Sequence, residues 1–206
     1  MRGIRIAGSI FEINHFEEGL ANPEIMSSWR EPLAQRDWEG YIWRVPRPYR
    51  LHAFLEVEQS LTDPEYWRLL GEIWTDAEMP NVNRVVWLAL FTSKRTNRDH
   101  VMDAGDHAAV DRLTDPVQVY RGAHLKYARG MSWTTDPDRA AWFATRFGYA
   151  RGGKVFTTTA AKRKILGYFA DRNEDEVLID PRRIRLEAIN WTEDQLNEAA
   201  GRAKKD

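Results

Sequence analysis

The spacing of apolar residues predicts helices in the first half of the chain. Thr62-Asp63-Pro64 has the form of an N-cap followed by proline in the first helical turn. Apolar side chains then recur at helical spacing up to Pro80, at Trp67, Leu70, Ile73, Trp74 and Ala77. Short strands are expected at residues 4–13 and 51–57, and a further helix at 98–113. The apolar run at 85–91 fits either a helix or a buried strand.

From residue 117 the pattern is typical of strands. Alternation places Val117, Val119 and Arg121 on one face of the first strand, and residues 118, 120 and 122 on the other. Asp136-Pro137 is expected to begin a helix that runs to Phe147 and ends at Gly148. Further strands are predicted at 130–135, 154–159, 165–168, 176–179 and 184–189. A helical front half followed by strands indicates an α+β fold.

Prolines and tryptophans suggest how the chain is organised. Four prolines interrupt residues 1–60, which we interpret as an N-terminal extension of the same unit, with residues 61–206 as the main domain. Six of the nine tryptophans precede residue 100. Packing in a core explains them best, and a surface for partner binding is the alternative.

Composition and charge narrow the function classes. Hydrophobic residues make up 43% and charged residues 30% of the 206-residue chain, an ordinary balance for a globular protein. The formal net charge of -1 removes the global basic excess that would favour a nucleic-acid binder. Without cysteine, disulfides, thiolate zinc sites and a thiol nucleophile are excluded. No signal-peptide core or membrane-length apolar run is evident, so we expect a cytoplasmic protein of the producing or a target cell.

Three short motifs occur in one order along the second half. They are Tyr-Arg-Gly at 120–122, Ser-Trp-Thr at 132–134, and Glu-Asp-Glu at 174–176 directly before Val-Leu-Ile. Each motif alone has a common explanation: a surface salt bridge, a Thr-rich strand or a solvated acidic loop. As an ordered set they resemble the Arg–Ser–Glu branch of the ADP-ribosyltransferase family, over about residues 117–190.

The resemblance implies a mono-ADP-ribosyltransferase whose split β-sandwich core is preceded by a helical part. NAD+ would be the co-substrate, with no metal. Glu176 matches the carboxylate that contacts the ribose and stabilises positive charge there as nicotinamide leaves. Because side chains alternate along a strand, Glu174 and Glu176 are expected to point the same way, and Glu174 would handle the acceptor. Glutamate at that position is associated with arginine as acceptor, whose guanidinium needs a base to remove a proton.

The same resemblance implies roles for five other residues. Arg121 binds the diphosphate through its planar fork or holds the shape of the site, and Gly122 lets nicotinamide approach the backbone. Ser132 holds Glu176 through a hydrogen bond. Thr134 lines the nicotinamide pocket. Phe143 stacks near nicotinamide, or simply packs the helix that carries it.

Two further groups of residues have weaker interpretations. His100, Asp103 and His107 share one face of a predicted helix and would bind a metal only with a further strong ligand. Basic clusters at 162–164 and 182–185 flank the acidic pair. They are interpreted as solvated faces, or as surfaces that guide an acidic protein or a nucleic acid towards the site.

The expected function is therefore transfer of ADP-ribose from NAD+ to a macromolecule, to protein arginine rather than to nucleic acid. The resemblance suggests a bacterial or phage toxin or effector, which an antitoxin or immunity protein could block, and no membrane partner. Three alternatives stay open: ADP-ribosylation of RNA or DNA, NAD+ hydrolysis with water as acceptor, and a non-catalytic binding module on the same fold.

Overall fold

The computed structural model describes residues 3–6, 9–12, 30–77, 83–146, 152–170 and 174–203. The chain divides into two units, Met1–Val101 and Met102–Asp206. The interpretation of residues 1–60 as an extension of the same unit as residues 61–206 stays a prediction. Aromatic residues on both sides of residue 60 pack together in the first unit, as Phe54 and Tyr66 do.

The first unit is mainly helical. Its helices are α1 (Trp38–Arg44), α2 (Arg50–Val57), α3 (Asp63–Asp76) and α4 (Arg84–Phe91). A short helical segment at 30–34 precedes them, and β1 (Gly3–Ile6) pairs antiparallel with β2 (Ser9–Glu12). The predicted strand at 4–13 is thus a hairpin over the residues described there; residues 7, 8 and 13 lie outside them.

Local signals explain where these helices begin. Thr62 and Glu65 form a capping box at the start of α3, which confirms the predicted N-terminus. The predicted end at Pro80 lies outside the described residues, and α3 ends at Asp76. The apolar run at 85–91 is helical, as one of its two interpretations required. The strand predicted at 51–57 is wrong, because Leu51, Phe54 and Leu55 are buried at helical spacing on α2.

Aromatic side chains form much of the core of this unit. The Trp74 ring meets the Trp87 ring edge to face at 5.1 Å and the Phe91 ring at 5.4 Å between centroids. The Tyr66 ring contacts the Phe54 ring in a tilted arrangement, with 5.2 Å between centroids. Such pairs add to the free energy gained by burial. For these tryptophans, the interpretation as core residues is confirmed.

A pH dependence of stability follows from His52 on α2. Burial lowers the pKa of His52 below its usual value. The unfolded chain therefore binds more protons than the folded chain as the pH falls through about 6.5, so this contribution to stability is full above that pH and is lost below it. We expect the thermal midpoint to fall less between pH 7.5 and pH 5.5 in His52→Gln than in the wild type. Equal slopes for His52→Gln and the wild type would refute the assignment.

Over its described residues, the second unit contains a six-stranded sheet and three α-helices. The strands are β3 (Val117–His124), β4 (Ser132–Thr134), β5 (Gly153–Ala160), β6 (Ile165–Phe169), β7 (Glu176–Ile179) and β8 (Glu187–Ala188). They lie in the order β6-β7-β4-β3-β5-β8, and every neighbouring pair is antiparallel. The helices are α5 (Ala104–Arg112), α6 (Pro137–Thr145) and α7 (Glu193–Arg202). The α+β class is confirmed.

The sheet opens between β3 and β4. These strands share a single residue pair, Tyr120 with Thr134, whereas β3 and β5 pair along their whole length. The sheet consequently consists of two three-stranded halves. Side chains from both halves meet in one buried cluster, which includes Val119, Phe156, Trp133 and Val177. One core cluster of the unit therefore joins the two halves, and a second cluster lies where α6 and α7 pack against the sheet. The three motifs lie on β3, β4 and the start of β7, next to the junction of the halves.

Most predicted strands and helices of this unit are confirmed, with two corrections. The helix predicted at 98–113 is a 3-10 helix (Arg98–Val101) followed by α5, because Asp103 caps a new helix by accepting a hydrogen bond from the Asp106 amide. The strand predicted at 184–189 is reduced to β8. Asp136 caps α6 as predicted, but the helix ends at Thr145 and the predicted end at 147–148 lies outside the described residues. Among the described residues, no helix has the length and apolar character needed to cross a membrane.

Gly122 is required for the close packing of α6 on β3. A Cβ atom at this position would lie 1.8 Å from the carbonyl oxygen of Ala140 and 2.5 Å from the amide nitrogen of Ala144, both backbone atoms of α6. Gly122→Ala is expected to destabilise the second unit by about 1–3 kcal/mol, since the backbone cannot yield as a flexible side chain would. Chemical denaturation checks this value. Gly201→Ala is the control because a Cβ there meets nothing within 4 Å, and an equal effect of both changes would contradict the packing argument.

Candidate functional site

The opening of the sheet brings the three motifs onto adjacent strands. Thr134 on β4 pairs directly with Glu176 on β7, and Ser132 pairs with Leu178. Because paired residues share a face and side chains alternate along a strand, Ser132, Thr134 and Glu176 lie on the same face. Trp133 lies on the other face in the core, with 2% of its surface exposed, as predicted.

Arg121 bridges the opening from the β3 side. Its Nε donates a hydrogen bond to the Tyr127 carbonyl oxygen at 3.2 Å, and its Nη1 donates to the Ser132 carbonyl oxygen at 2.6 Å. These bonds to the backbone support the second of its two predicted roles, in which it holds the shape of the site. Its contact with a diphosphate stays a prediction.

Gly130 was not singled out by the sequence, yet it shapes the environment of Arg121. A Cβ atom at Gly130 would lie 2.4 Å from the Cζ atom of Arg121, so the guanidinium lies directly against the glycine backbone. The Gly130 carbonyl oxygen also accepts a hydrogen bond from the Trp133 indole at 2.9 Å. The glycine two residues before the hydroxyl motif was the available signal, but its partner Arg121 lies on another strand.

Thr134 connects three parts of the site. Its hydroxyl donates to the carbonyl oxygen of Glu174 at 2.8 Å and accepts from the amide of Asp136, the cap of α6, at 3.1 Å. The side chain is buried. Thr134 therefore fixes the backbone that carries the acidic pair, while its predicted contact with nicotinamide remains a prediction, as does the hydrogen bond from Ser132 to Glu176.

The acidic pair has a different geometry from the one expected. Glu176 begins β7, but Glu174 precedes the strand, and Asp175 between them has a φ of 43°. The argument that alternation along one strand points both glutamates the same way is therefore wrong, because a left-handed residue interrupts the extended chain. Both glutamates are half-buried. The Asp175 carboxylate accepts a hydrogen bond from the Tyr168 hydroxyl at 2.8 Å.

Gly122 and Phe143 lie where α6 meets the sheet. The side of Gly122 that a side chain would occupy faces the α6 backbone, so its lack of a side chain serves helix packing. Phe143 on α6 is half-buried and meets the Trp142 ring edge to face at 5.0 Å between centroids. This contact agrees with the packing interpretation of Phe143. Contacts of Gly122 and Phe143 with nicotinamide stay predictions.

The candidate metal ligands His100, Asp103 and His107 do not lie on one helix. His100 lies in the 3-10 helix before Asp103, so His100, Asp103 and His107 do not share one continuous helix. Among the described residues, no group of three or more potential ligands could hold a metal ion.

Three of the six basic residues in the two clusters contact other groups of the chain. The Lys162 ammonium donates to the Asp111 carbonyl oxygen, Arg182 pairs with Asp180, and Arg185 pairs with Glu187. The exposed members that remain are Arg163, Lys164 and Arg183.

The arrangement has a clear chemical capacity. A carboxylate fixed at the start of β7 can stabilise positive charge on a bound ligand, and a second carboxylate two residues earlier can accept a proton. Arg121 and Thr134 fix the backbone on both sides of these groups. The chain matches no protein-family model, no curated protein and no solved structure.

Proposed function

We propose that the chain is a mono-ADP-ribosyltransferase that uses NAD+ as donor. The convergence of the motifs carries this proposal: Glu176 lies directly across from Thr134, and Arg121 reaches from the neighbouring strand to Ser132. The three motifs, which span more than fifty positions of the sequence, thus lie on three adjacent strands, and Arg121 reaches the β4 backbone from the face opposite to Thr134 and Glu176. The single residue pair between β3 and β4 also supports a fold of the ADP-ribosyltransferase type, a split β-sandwich.

The reaction follows from the two carboxylates. The bond between the ribose carbon and the nicotinamide nitrogen breaks, and its electron pair leaves with nicotinamide, which becomes neutral. Glu176 stabilises the positive charge that develops on the ribose. An acceptor nitrogen then forms the new bond to that carbon, and Glu174 takes the proton the nitrogen loses. Protein arginine is the proposed acceptor, because its guanidinium needs such a base.

The biological setting proposed from the resemblance is a bacterial or phage toxin or effector that acts in cytoplasm. A producing cell would then need an antitoxin or immunity protein. Nucleic acid as acceptor has support from the exposed Arg163, Lys164 and Arg183, which can attract phosphate groups. With water as acceptor, the protein would be an NAD+ glycohydrolase. If it has no activity on NAD+, the remaining alternative is a non-catalytic binding module.

Incubation with NAD+ labelled in its adenosine part and a bacterial lysate tests the proposal. Purified wild-type protein and Glu176→Gln are compared, and label is followed in protein, nucleic-acid and small-molecule fractions. We expect label in protein, dependent on Glu176 and lost when acceptor arginines are chemically blocked. Label in nucleic acid would reassign the acceptor, free ADP-ribose alone would indicate a hydrolase, and intact NAD+ in every fraction would overturn the enzymatic assignment.

A further inference from the structure

The connection between β6 and β7 is fixed at both described ends by side chains from three elements. At its start, the Ala170 amide donates to the Asp106 carboxylate of α5 at 3.0 Å. At its end, Asp175 accepts from Tyr168 of β6, and the Glu174 carbonyl oxygen accepts from Thr134 of β4. Asp106, Tyr168 and Thr134 are referred to below as the clamp. Glu174 lies at the end of this connection and Glu176 directly after it, so the clamp affects where the acidic pair is held.

Asp106 is suited to hold the start of the connection. Its carboxylate is buried, with 9% of the residue surface exposed, and it lies in the first turn of α5. A helix N-terminus stabilises negative charge, which reduces the cost of burying a carboxylate there. The Asp106 side chain also accepts from the Asp103 amide in the capping box, at 3.4 Å. The carboxylate is thereby anchored before it receives the Ala170 amide.

Tyr168 holds the other end from within the core. Only 3% of its surface is exposed, so its ring has little freedom to move. Burial, and then the hydrogen bond to Asp175, raise the pKa of the Tyr168 hydroxyl, which keeps it protonated as a donor. Asp175 has the positive φ of 43°, a conformation that persists only where surrounding contacts hold it. The hydroxyl supplies such a contact.

The two glutamates depend on the clamp to different degrees. Glu176 is part of the β ladder, paired with Thr134 on one side and with Phe169 on the other. Glu174 lies outside the ladder, and the bond from Thr134 to its carbonyl oxygen and the tether on Asp175 are the described contacts nearest to it. Loosening the clamp should therefore move Glu174 more than Glu176.

We infer that Asp106 and Tyr168 are positioning residues that set the partition of ADP-ribose between a macromolecular acceptor and water. The inference rests on the proposed function, in which Glu176 promotes loss of nicotinamide and Glu174 serves the acceptor. A displaced Glu174 leaves the ribose cation to be captured by water, whose oxygen forms the new bond and whose proton passes to solvent. Transfer then falls while nicotinamide release continues.

Removal of one hydroxyl tests this inference in the full chain. Tyr168→Phe keeps the ring in the core, and Tyr66→Phe, which removes a buried hydroxyl that donates to the Leu90 carbonyl oxygen in the helical unit, is the matched control. Nicotinamide release and label transfer to the lysate acceptor are measured side by side. We expect Tyr168→Phe and Asp106→Asn to lower transfer about tenfold, with nicotinamide release within about twofold of the wild type. Asp175→Asn, which retains an acceptor oxygen, should transfer more than Asp175→Ala. An equal loss in both steps, or no loss in either, would overturn the inference.

Hydrogen exchange distinguishes failure of the inference about Asp106 and Tyr168 from failure of the proposed function. Amides at 174 and 175 should exchange about tenfold faster in Tyr168→Phe than in the wild type, and the amide of Ala170 about tenfold faster in Asp106→Asn, whether or not the protein consumes NAD+. Unchanged exchange would show that the clamp does not hold the segment. A wild-type protein that releases no nicotinamide, together with faster exchange in the variant, would refute the proposed function and the partition role while the clamp itself stood.

Discussion

Replacement of Glu176 by glutamine is expected to lower the rate of nicotinamide release from NAD+ by about 10²–10³-fold, the usual cost of removing one group that stabilises transition-state charge. Glutamine has nearly the same shape and keeps the backbone pairs with Thr134 and Phe169, so β7 should remain in place. What disappears is the negative charge beside the ribose carbon. Chromatographic measurement of nicotinamide over time gives the rate directly.

A matched glutamate on another strand controls for this change. Glu187 on β8 is exposed and pairs with Arg185, so Glu187→Gln removes a carboxylate from the same unit but outside the site. Its nicotinamide release should equal that of the wild type. Circular dichroism of all three proteins checks that folding is unchanged. Similar rates for Glu176→Gln and Glu187→Gln would show that Glu176 has no special part in catalysis.

Trp133→Ala is expected to reduce the free energy of unfolding of the second unit by about 3–5 kcal/mol. Trp133 is almost completely buried among side chains from both halves of the sheet, including Val119 and Val177. Its removal leaves a large cavity at the point where the two halves meet. It also removes the indole donor that the Gly130 carbonyl oxygen uses. Denaturant titration at neutral pH measures the loss.

Two comparisons separate the cavity from the hydrogen bond. Trp133→Phe keeps most of the buried volume and should cost clearly less than Trp133→Ala. Trp142→Ala, on α6, removes a half-buried indole and should also cost less. A loss below about 1 kcal/mol for Trp133→Ala would fall in the range of surface substitutions and would contradict the position given to this residue in the core.

Local signals explain what could be predicted from the sequence. The N-cap and proline at Thr62-Asp63-Pro64 define the start of α3, and Val-Leu-Ile after Glu176 defines β7, because capping and strand preference act within a few residues. Alternation also placed Trp133 on the core side of β4. The order of the three motifs indicated which residues would surround the candidate site.

The features that sequence reasoning missed depend on contacts between distant residues. Leu51–Val57 alternates partly in sequence, but burial in the aromatic core makes it helical. The need for glycine at position 122 comes from the α6 backbone, and Gly130 lies against the Arg121 guanidinium of β3. Asp175 has a positive φ, which interrupts the strand alternation between Glu174 and Glu176. The hydrogen-bond partner of its carboxylate, Tyr168, lies on another strand.

The fate of NAD+ in the presence of the purified chain tests the central claim most directly. NAD+ is incubated with the wild-type protein and cell lysate, and the nicotinamide signals are followed by proton nuclear magnetic resonance. The proposed function predicts free nicotinamide in an amount equal to the NAD+ lost above a lysate-only control, at a rate that Glu176→Gln reduces to near that control. NAD+ consumed no faster with the wild-type protein than with lysate alone would contradict it.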